Sequence, residues 1–149
     1  MIGMKRRVWA AVLAAGLSLG AAGVAAAEDY RQVGSGNTGD WWVDADSVKT
    51  GAGGTRTAWG VVVYNERSDG VAYVKFRSEY DCGQNKTRHL DLEFYKADGG
   101  AAGDSRDPTP WDTAKSGTIQ ANIDRQVCAG KFDEASSRRS LKALLAEKL

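Results

Sequence analysis

Cys82 and Cys128 are the two side chains of this chain that could form a covalent bond with each other. A cysteine nucleophile needs a neighbouring base, and His89 is the single histidine. The remaining alternatives are a Cys82–Cys128 disulfide and two free thiols. The compartment decides between them, because disulfides persist in oxidising surroundings.

The first 27 residues are typical of a cleavable signal peptide. Residues 5–7 are basic, residues 8–24 are apolar and rich in Ala and Gly, and residues 25–27 are all Ala. A membrane anchor is the alternative, but a stable span needs about 20 strongly apolar residues. We therefore predict cleavage before Glu28 and export to the periplasm, with the cell surface or the medium as the alternative. No stable membrane span is expected in the mature chain, and the Cys82–Cys128 disulfide is expected to form.

Alternation of apolar and polar residues predicts the strand that carries Cys82. One face of the strand presents the even positions, which are Ala72, Val74, Phe76, Ser78, Tyr80 and Cys82. The partner of Cys82 must then belong to the element that covers this dry face. Ile119, Ile123 and Val127 have helical spacing and predict that the covering element is a helix ending near Cys128.

The remaining segments predict an α+β fold. Two hairpins are expected, one pairing the segment around Trp42 with residues 55–64 and one pairing residues 71–82 with residues 86–94. The Gly- and Pro-rich residues 98–113 are predicted to be a loop. We therefore expect a single antiparallel sheet of four to six strands, with a C-terminal helix packed on its apolar face and tied to it by the disulfide. A further amphipathic helix is expected in the C-terminal tail.

Three sequence patterns resemble a phosphate-binding loop, a calcium site and an acid-base site, but the residues around each pattern argue against that function. The G-x-G-x-x-G letters of residues 34–39 run into an extended aromatic segment, whereas a phosphate-binding loop must open a helix. Asp44 and Asp46 supply too few oxygen ligands for calcium. His89, Asp91 and Glu93 are expected on a wet sheet face, where no cleft shifts their pKa values for acid-base work. We predict no enzyme activity, no cofactor and no metal site.

Charge distribution excludes nucleic acid as a partner. Loss of the signal peptide changes the net charge from +1 to about −2, and the basic residues are scattered among acids. The wet sheet face nevertheless combines aromatic and charged residues, as protein interfaces often do. The candidate protein-binding residues on it are Tyr73, Lys75, Arg77, His89, Glu93 and Tyr95.

Several short motifs resemble the surface-adhesin protein E family of Gram-negative bacteria. They are residues 41–48 (WWVDADSV), 58–60 (AWG), 78–82 (SEYDC), Trp111, and Val127 with Cys128. The resemblance spans roughly residues 30–130 and implies a curved antiparallel sheet with a C-terminal helix tied to it by a disulfide. It also implies surface display and binding of host extracellular-matrix and serum proteins. The chain departs from the family pattern in lacking a lipid-anchor cysteine and in having a tail from Phe132 to Leu149.

We therefore predict a signal peptide at residues 1–27, an adhesin-like domain at residues 28–131 and a helical tail at residues 132–149. The expected function is an exported module that binds host or envelope proteins through its sheet face or loops. The alternative is a periplasmic structural or stress-related protein. The tail is expected to be either an ordinary docked or frayed end or a helix that binds a partner or a membrane surface. The sequence does not identify the ligand or the oligomeric state.

Overall fold

A computed structural model of the protein describes residues 26–149. The predicted signal peptide lies outside these residues except for Ala26 and Ala27. The described part of the chain contains seven strands and two α-helices. The strands are β1 (Tyr30–Ser35), β2 (Gly39–Asp44), β3 (Lys49–Thr50), β4 (Thr55–Ser68), β5 (Val71–Asp81), β6 (Lys86–Tyr95) and β7 (Ala101–Ser105), and the helices are α1 (Ile119–Ala129) and α2 (Leu141–Lys148).

All seven strands form one antiparallel sheet. The neighbours are ordered β1-β2-β4-β5-β6-β7, and the two-residue β3 also pairs with β4. Both predicted hairpin pairings are present, since β2 pairs with β4 and β5 pairs with β6. Tight connections follow from residues with positive φ, such as Gly70 between β4 and β5 and Asn85 before β6. The predicted loop at residues 98–113 also contains β7, whose Ala- and Gly-rich composition gives no strand signal.

Helix α1 covers one face of the sheet, hereafter the α1 face. Ile123 and Val127 are fully buried against Val33, Val43, Ala58 and Tyr80. The Thr118 hydroxyl caps the helix by accepting a hydrogen bond from the Ala121 amide, and Gly130 ends the helix in the left-handed conformation. The predicted helix and its apolar stripe are therefore confirmed.

The Cys82–Cys128 disulfide is present and joins the end of β5 to the last turn of α1. The two Cα atoms lie 5.6 Å apart, within the range of ordinary disulfides. Arg56 adds a second tie, because its Nη1 donates to the Val127 carbonyl at 2.9 Å. Alternation along β5 thus placed Cys82 correctly on the face that the helix covers.

Helix α2 packs on the opposite face of the sheet. Its Leu144 is buried with Tyr30, Trp42, Val61 and Tyr73, while Leu141 and Leu145 flank the cluster. The sheet therefore has an apolar region on both faces. The expectation that one face is wet along its whole length is wrong, because α2 covers the part nearest the β6–β7 turn.

Candidate functional site

The open half of the face opposite α1 carries a ladder of charged side chains around Trp59. Register places Trp59 beside Arg77 and Arg77 beside Asp91, while Lys75 lies beside Glu93. We refer to this surface as the charged face, defined by Trp59, Lys75, Arg77, Asp91, Glu93 and Arg106. Arg106 follows β7 directly and reaches back over β6.

Ion pairs join the ladder into one network. Arg77 donates to Asp91, and Arg106 contacts both Asp91 (3.3 Å) and Glu93 (2.9 Å). Lys75 lies 3.6 Å from Glu93. Burial alone would raise the pKa values of Asp91 and Glu93, but the hydrogen bonds and positive charges of their partners lower both below the usual values. Both carboxylates therefore stay ionised and hold the cations in position.

The network presents its cations outward and its carboxylates inward. The side chains of Lys75, Arg77 and Arg106 are 28%, 39% and 55% exposed, whereas those of Asp91 and Glu93 are 11% and 17% exposed. A partner approaching this face therefore meets ammonium and guanidinium donors first. Such donors suit carboxylates, which bind guanidinium groups through paired hydrogen bonds.

Trp59 provides the aromatic centre of the charged face. The Lys75 ammonium lies 5.2 Å and the Arg77 guanidinium carbon 6.0 Å from the centroid of its ring, within the range of cation–π contacts. Its main-chain amide donates to the Ser47 hydroxyl at 2.8 Å, which fixes the strand against the turn after β2. Trp59 lies in the AWG motif of residues 58–60 but was not among the predicted binding residues. The cross-strand position beside Arg77 is the signal that would have found it.

A groove of about 740 Å³ runs along this face. Charged residues of both signs line it. The basic residues are Lys49, Lys75, Arg77 and Arg106, and the acidic residues are Glu28, Asp44, Asp46 and Asp91. Asp44 accepts hydrogen bonds from the amides of residues 29 and 46, yet burial raises its pKa above the usual value. The groove therefore offers charged groups of both signs together with the Trp59 ring.

Five of the six predicted binding residues lie on the face opposite α1, and three of them belong to the charged face. Lys75, Arg77 and Glu93 lie in the ladder as expected. Tyr95 stacks on Tyr73 with ring centroids 4.9 Å apart and donates to Glu93 from its hydroxyl. Tyr73 shares the face but is only 5% exposed, because α2 and Tyr95 cover it. Its predicted exposure is therefore wrong.

His89 was assigned to the wrong face. Arg77 pairs with Asp91 and Ser78 pairs with His89, so a bulge at Leu90 shifts the alternation of β6. His89 consequently lies on the α1 face, where Ser78 Oγ is 2.8 Å from its Nδ1. Burial lowers the pKa of His89, despite the opposing effect of Asp124. Ser78 is fully buried and is inaccessible to a substrate, so this pair does not form a catalytic dyad.

No group of three or more His, Cys, Asp and Glu side chains within residues 26–149 is arranged to hold a metal ion. No helix in the same part of the chain is long and apolar enough to cross a membrane.

Comparison with known proteins gives one family and several structures. The family model described as Surface-adhesin protein E matches residues 30–129. The selenomethionine form of Haemophilus influenzae protein E is similar to this chain, with 17% identity and a TM-score of 0.49, and the match covers 71% of this chain and 89% of that chain. Crystal form II of the same protein has 16% identity and a TM-score of 0.48, and the match covers 80% of this chain and 97% of that chain. No curated protein matches this sequence.

Proposed function

Because this chain belongs to the Surface-adhesin protein E family, we propose that it is an exported, adhesin-like module that binds a host or envelope protein on its charged face. The family description is that of a binding protein rather than a catalyst. The observation that carries the proposal is the outward array of Lys75, Arg77 and Arg106 around Trp59. A protein segment with an acidic side chain beside an apolar or aromatic one fits this array.

Two physical features support a binding role for this face. Aromatic and Arg side chains are enriched where interfaces derive most of their affinity. The Arg77 and Arg106 guanidinium groups are already held by buried carboxylates, so little side-chain freedom is lost when a partner binds. The carboxylates of Asp91 and Glu93 give the face a fixed pattern of charge, which favours selective binding over non-specific attraction.

The direct test is binding of the purified exported protein to immobilised extracellular-matrix proteins. We expect the double variant Lys75→Gln/Arg77→Gln to bind at least ten times more weakly than the unmodified chain. Gln keeps a hydrogen-bond donor beside Asp91 and so limits damage to the fold. The matched control is Arg67→Gln/Lys131→Gln, which removes one exposed Arg and one exposed Lys outside the groove. Equal losses in both variants would show that the charged face is not the contact.

Location on the cell separates this proposal from the alternative role. A protease added to intact cells should degrade the protein if it is displayed and adhesive. Protection from the protease together with release in the periplasmic fraction would favour a periplasmic structural or stress-related protein. N-terminal sequencing of the exported protein should begin at Glu28 if the signal peptide is cleaved as predicted.

A further inference from the structure

A second cluster like the one around Trp59 lies on the same face of the sheet. Glu79 follows Arg77 by two residues on β5, and its neighbour on β6 is Arg88. Arg88 Nε donates to Glu79 Oε2 at 2.8 Å, and the Arg88 guanidinium carbon lies 4.5 Å from the centroid of the Trp111 ring. We refer to Trp111, Arg88 and Glu79 as the Trp111 cluster. It repeats the combination of an indole, a guanidinium and a carboxylate that is found around Trp59.

The Trp111 cluster also presents its cation outward. The side chain of Arg88 is 32% exposed, whereas that of Glu79 is 19% exposed. A guanidinium has five N–H donors, so donors remain for a partner after the bonds to Glu79 are made. Trp111 is 38% exposed and is one of two large apolar side chains that stay exposed within the described part of the chain. An accessible indole beside a guanidinium has the composition of a binding hot spot.

Main-chain pairing fixes the position of Trp111. The segment around Trp111 continues the edge of the sheet along β6, where Thr87 and Asp112 exchange main-chain hydrogen bonds of 2.8 and 2.9 Å. On the other side of Trp111, the Thr109 amide donates to the His89 carbonyl at 2.9 Å. Both prolines of the chain lie within the three residues before Trp111 and restrict the backbone there. Little conformational freedom is therefore lost when a partner contacts the indole.

The spacing of the two guanidinium-bearing residues selects the shape of the partner. Arg77 and Glu79 lie about 7 Å apart along β5, and Arg88 lies about 5 Å from Glu79 on the next strand, so the two Arg Cα atoms are about 8 Å apart. Side chains at i and i+2 of an extended segment point the same way and lie about 7 Å apart. Residues at i and i+4 of a helix lie closer together, at about 5–6 Å. Two acidic residues at i and i+2 of an extended segment therefore match the two guanidinium groups best.

We propose that the charged face and the Trp111 cluster form one two-anchor site for an extended acidic segment of the partner protein, with carboxylates at i and i+2. One carboxylate binds Arg77 and the other binds Arg88. The order across the strands is Trp59, Arg77, Arg88 and Trp111. Apolar residues on either side of the acidic pair therefore contact the two indoles. The two-anchor site rests on the proposed function, because Arg77 belongs to the charged face.

The test uses the exported chain and two labelled peptides of identical composition. The first contains Leu-Thr-Asp-Thr-Asp-Thr-Leu, in which Thr favours an extended backbone and both carboxylates point the same way. The second contains Leu-Thr-Thr-Asp-Asp-Thr-Leu, whose adjacent carboxylates point to opposite sides when the segment is extended. Fluorescence anisotropy at low ionic strength should show about fivefold tighter binding of the first peptide, the effect of one additional exposed ion pair. Equal affinities, or binding of neither peptide, would overturn the proposal.

A substitution in the Trp111 cluster locates the second anchor. Arg88→Gln should bind the two peptides equally, because a single carboxylate of each then has a guanidinium partner. Gln keeps a hydrogen-bond donor beside Glu79. The matched control is Arg125→Gln, which removes an exposed Arg of α1 on the other side of the sheet and should keep the preference for the first peptide. A preference that survives in Arg88→Gln would overturn the proposal.

Trp111→Ala decides the question if Arg88→Gln does not fold. This variant should bind the first peptide about threefold more weakly than the unmodified chain, because the flanking leucine loses its contact with the indole. Unchanged binding would remove the second anchor. Tighter binding of a helical peptide with Asp at i and i+4 than of the first peptide would assign the surface to a helix and exclude an extended partner.

Binding to immobilised matrix proteins separates failure of the second anchor from failure of the proposed function. If Arg88→Gln binds them like the unmodified chain while Lys75→Gln/Arg77→Gln binds weakly, the second anchor is refuted and the proposed function stands. Unchanged binding by both variants would refute the proposed function as well.

Discussion

Removal of the disulfide should cost this fold a large share of its stability. The double variant Cys82→Ala/Cys128→Ala removes the cross-link without leaving an unpaired thiol. The two cysteines are 46 residues apart, and the chain-entropy relation gives about 4 kcal/mol for a loop of that length. We expect a measured loss of about 2–4 kcal/mol, since unfolded chains retain some structure. Domains of this size have a total stability of roughly 5–15 kcal/mol.

Urea unfolding followed by tryptophan fluorescence measures this loss. With a slope of about 2 kcal/mol per molar urea, the midpoint should fall by roughly 1–2 M. The slope should also rise, because the unfolded chain without the cross-link exposes more surface. A reductant should move the unmodified chain to the midpoint of the variant and leave the variant unchanged.

A variant whose free energy of unfolding lies within about 0.5 kcal/mol of the unmodified chain in non-reducing buffer would refute this prediction. That result would mean that Ile123 and Val127 hold α1 on the sheet without help from the cross-link. Two unmodified thiols in protein purified from the cell envelope would contradict the structural premise itself.

Three other predictions concern single positions. Gly39→Ala should destabilise the fold by about 1–3 kcal/mol, because a Cβ there would collide with the main-chain oxygen of Val63 in β4. At Gly36 the nearest atom to such a Cβ would be 3.4 Å away, so a Gly36→Ala variant should melt near the unmodified chain. Equal melting temperatures for the two variants would refute the argument. Hydrogen bonds from Arg31 and Ser137 lower the pKa of Asp29 below its usual value, so the Asp29 carboxylate stabilises the fold above about pH 4 and this stabilisation is lost as the pH falls. The Asp29→Asn variant should therefore lose less unfolding free energy than the unmodified chain between about pH 5 and pH 2. An unchanged dependence on pH would contradict this role of Asp29. Burial raises the pKa of Tyr80 above its ordinary value of about 10, so the free energy of unfolding should decline as the pH rises beyond that value. In thermal melts from pH 8 to 11, the melting temperature of Tyr80→Phe should fall less than that of the unmodified chain.

The sequence predicts the α1 side of the molecule well. Period-two alternation along β5 identified the buried face and placed Cys82 on it. The spacing of Ile119, Ile123 and Val127 identified the helix that supplies Cys128. These signals are local and strong, because one buried face imposes one periodicity on each element.

The candidate binding face was predicted only in part, because pairing between strands decides which residues share it. The bulge at Leu90 moved His89 to the other face, and no residue near it signals a bulge. Burial of Tyr73 depends on where α2 docks, which lies far along the chain. Arg106 lies in the ion-pair network because β7 pairs with β6. The composition of this segment indicates a loop, so the sequence did not predict that pairing.

Local chemistry along the chain therefore determined the cross-link, its helix and the sheet, because alternation, caps and cysteine chemistry act over short distances. Only the tertiary structure decided which charged groups form one network and which tyrosine lies beneath a helix. Packing between distant segments sets the strand register, the bulge and the docking of α2. The periodicity of a single strand does not predict any of these features.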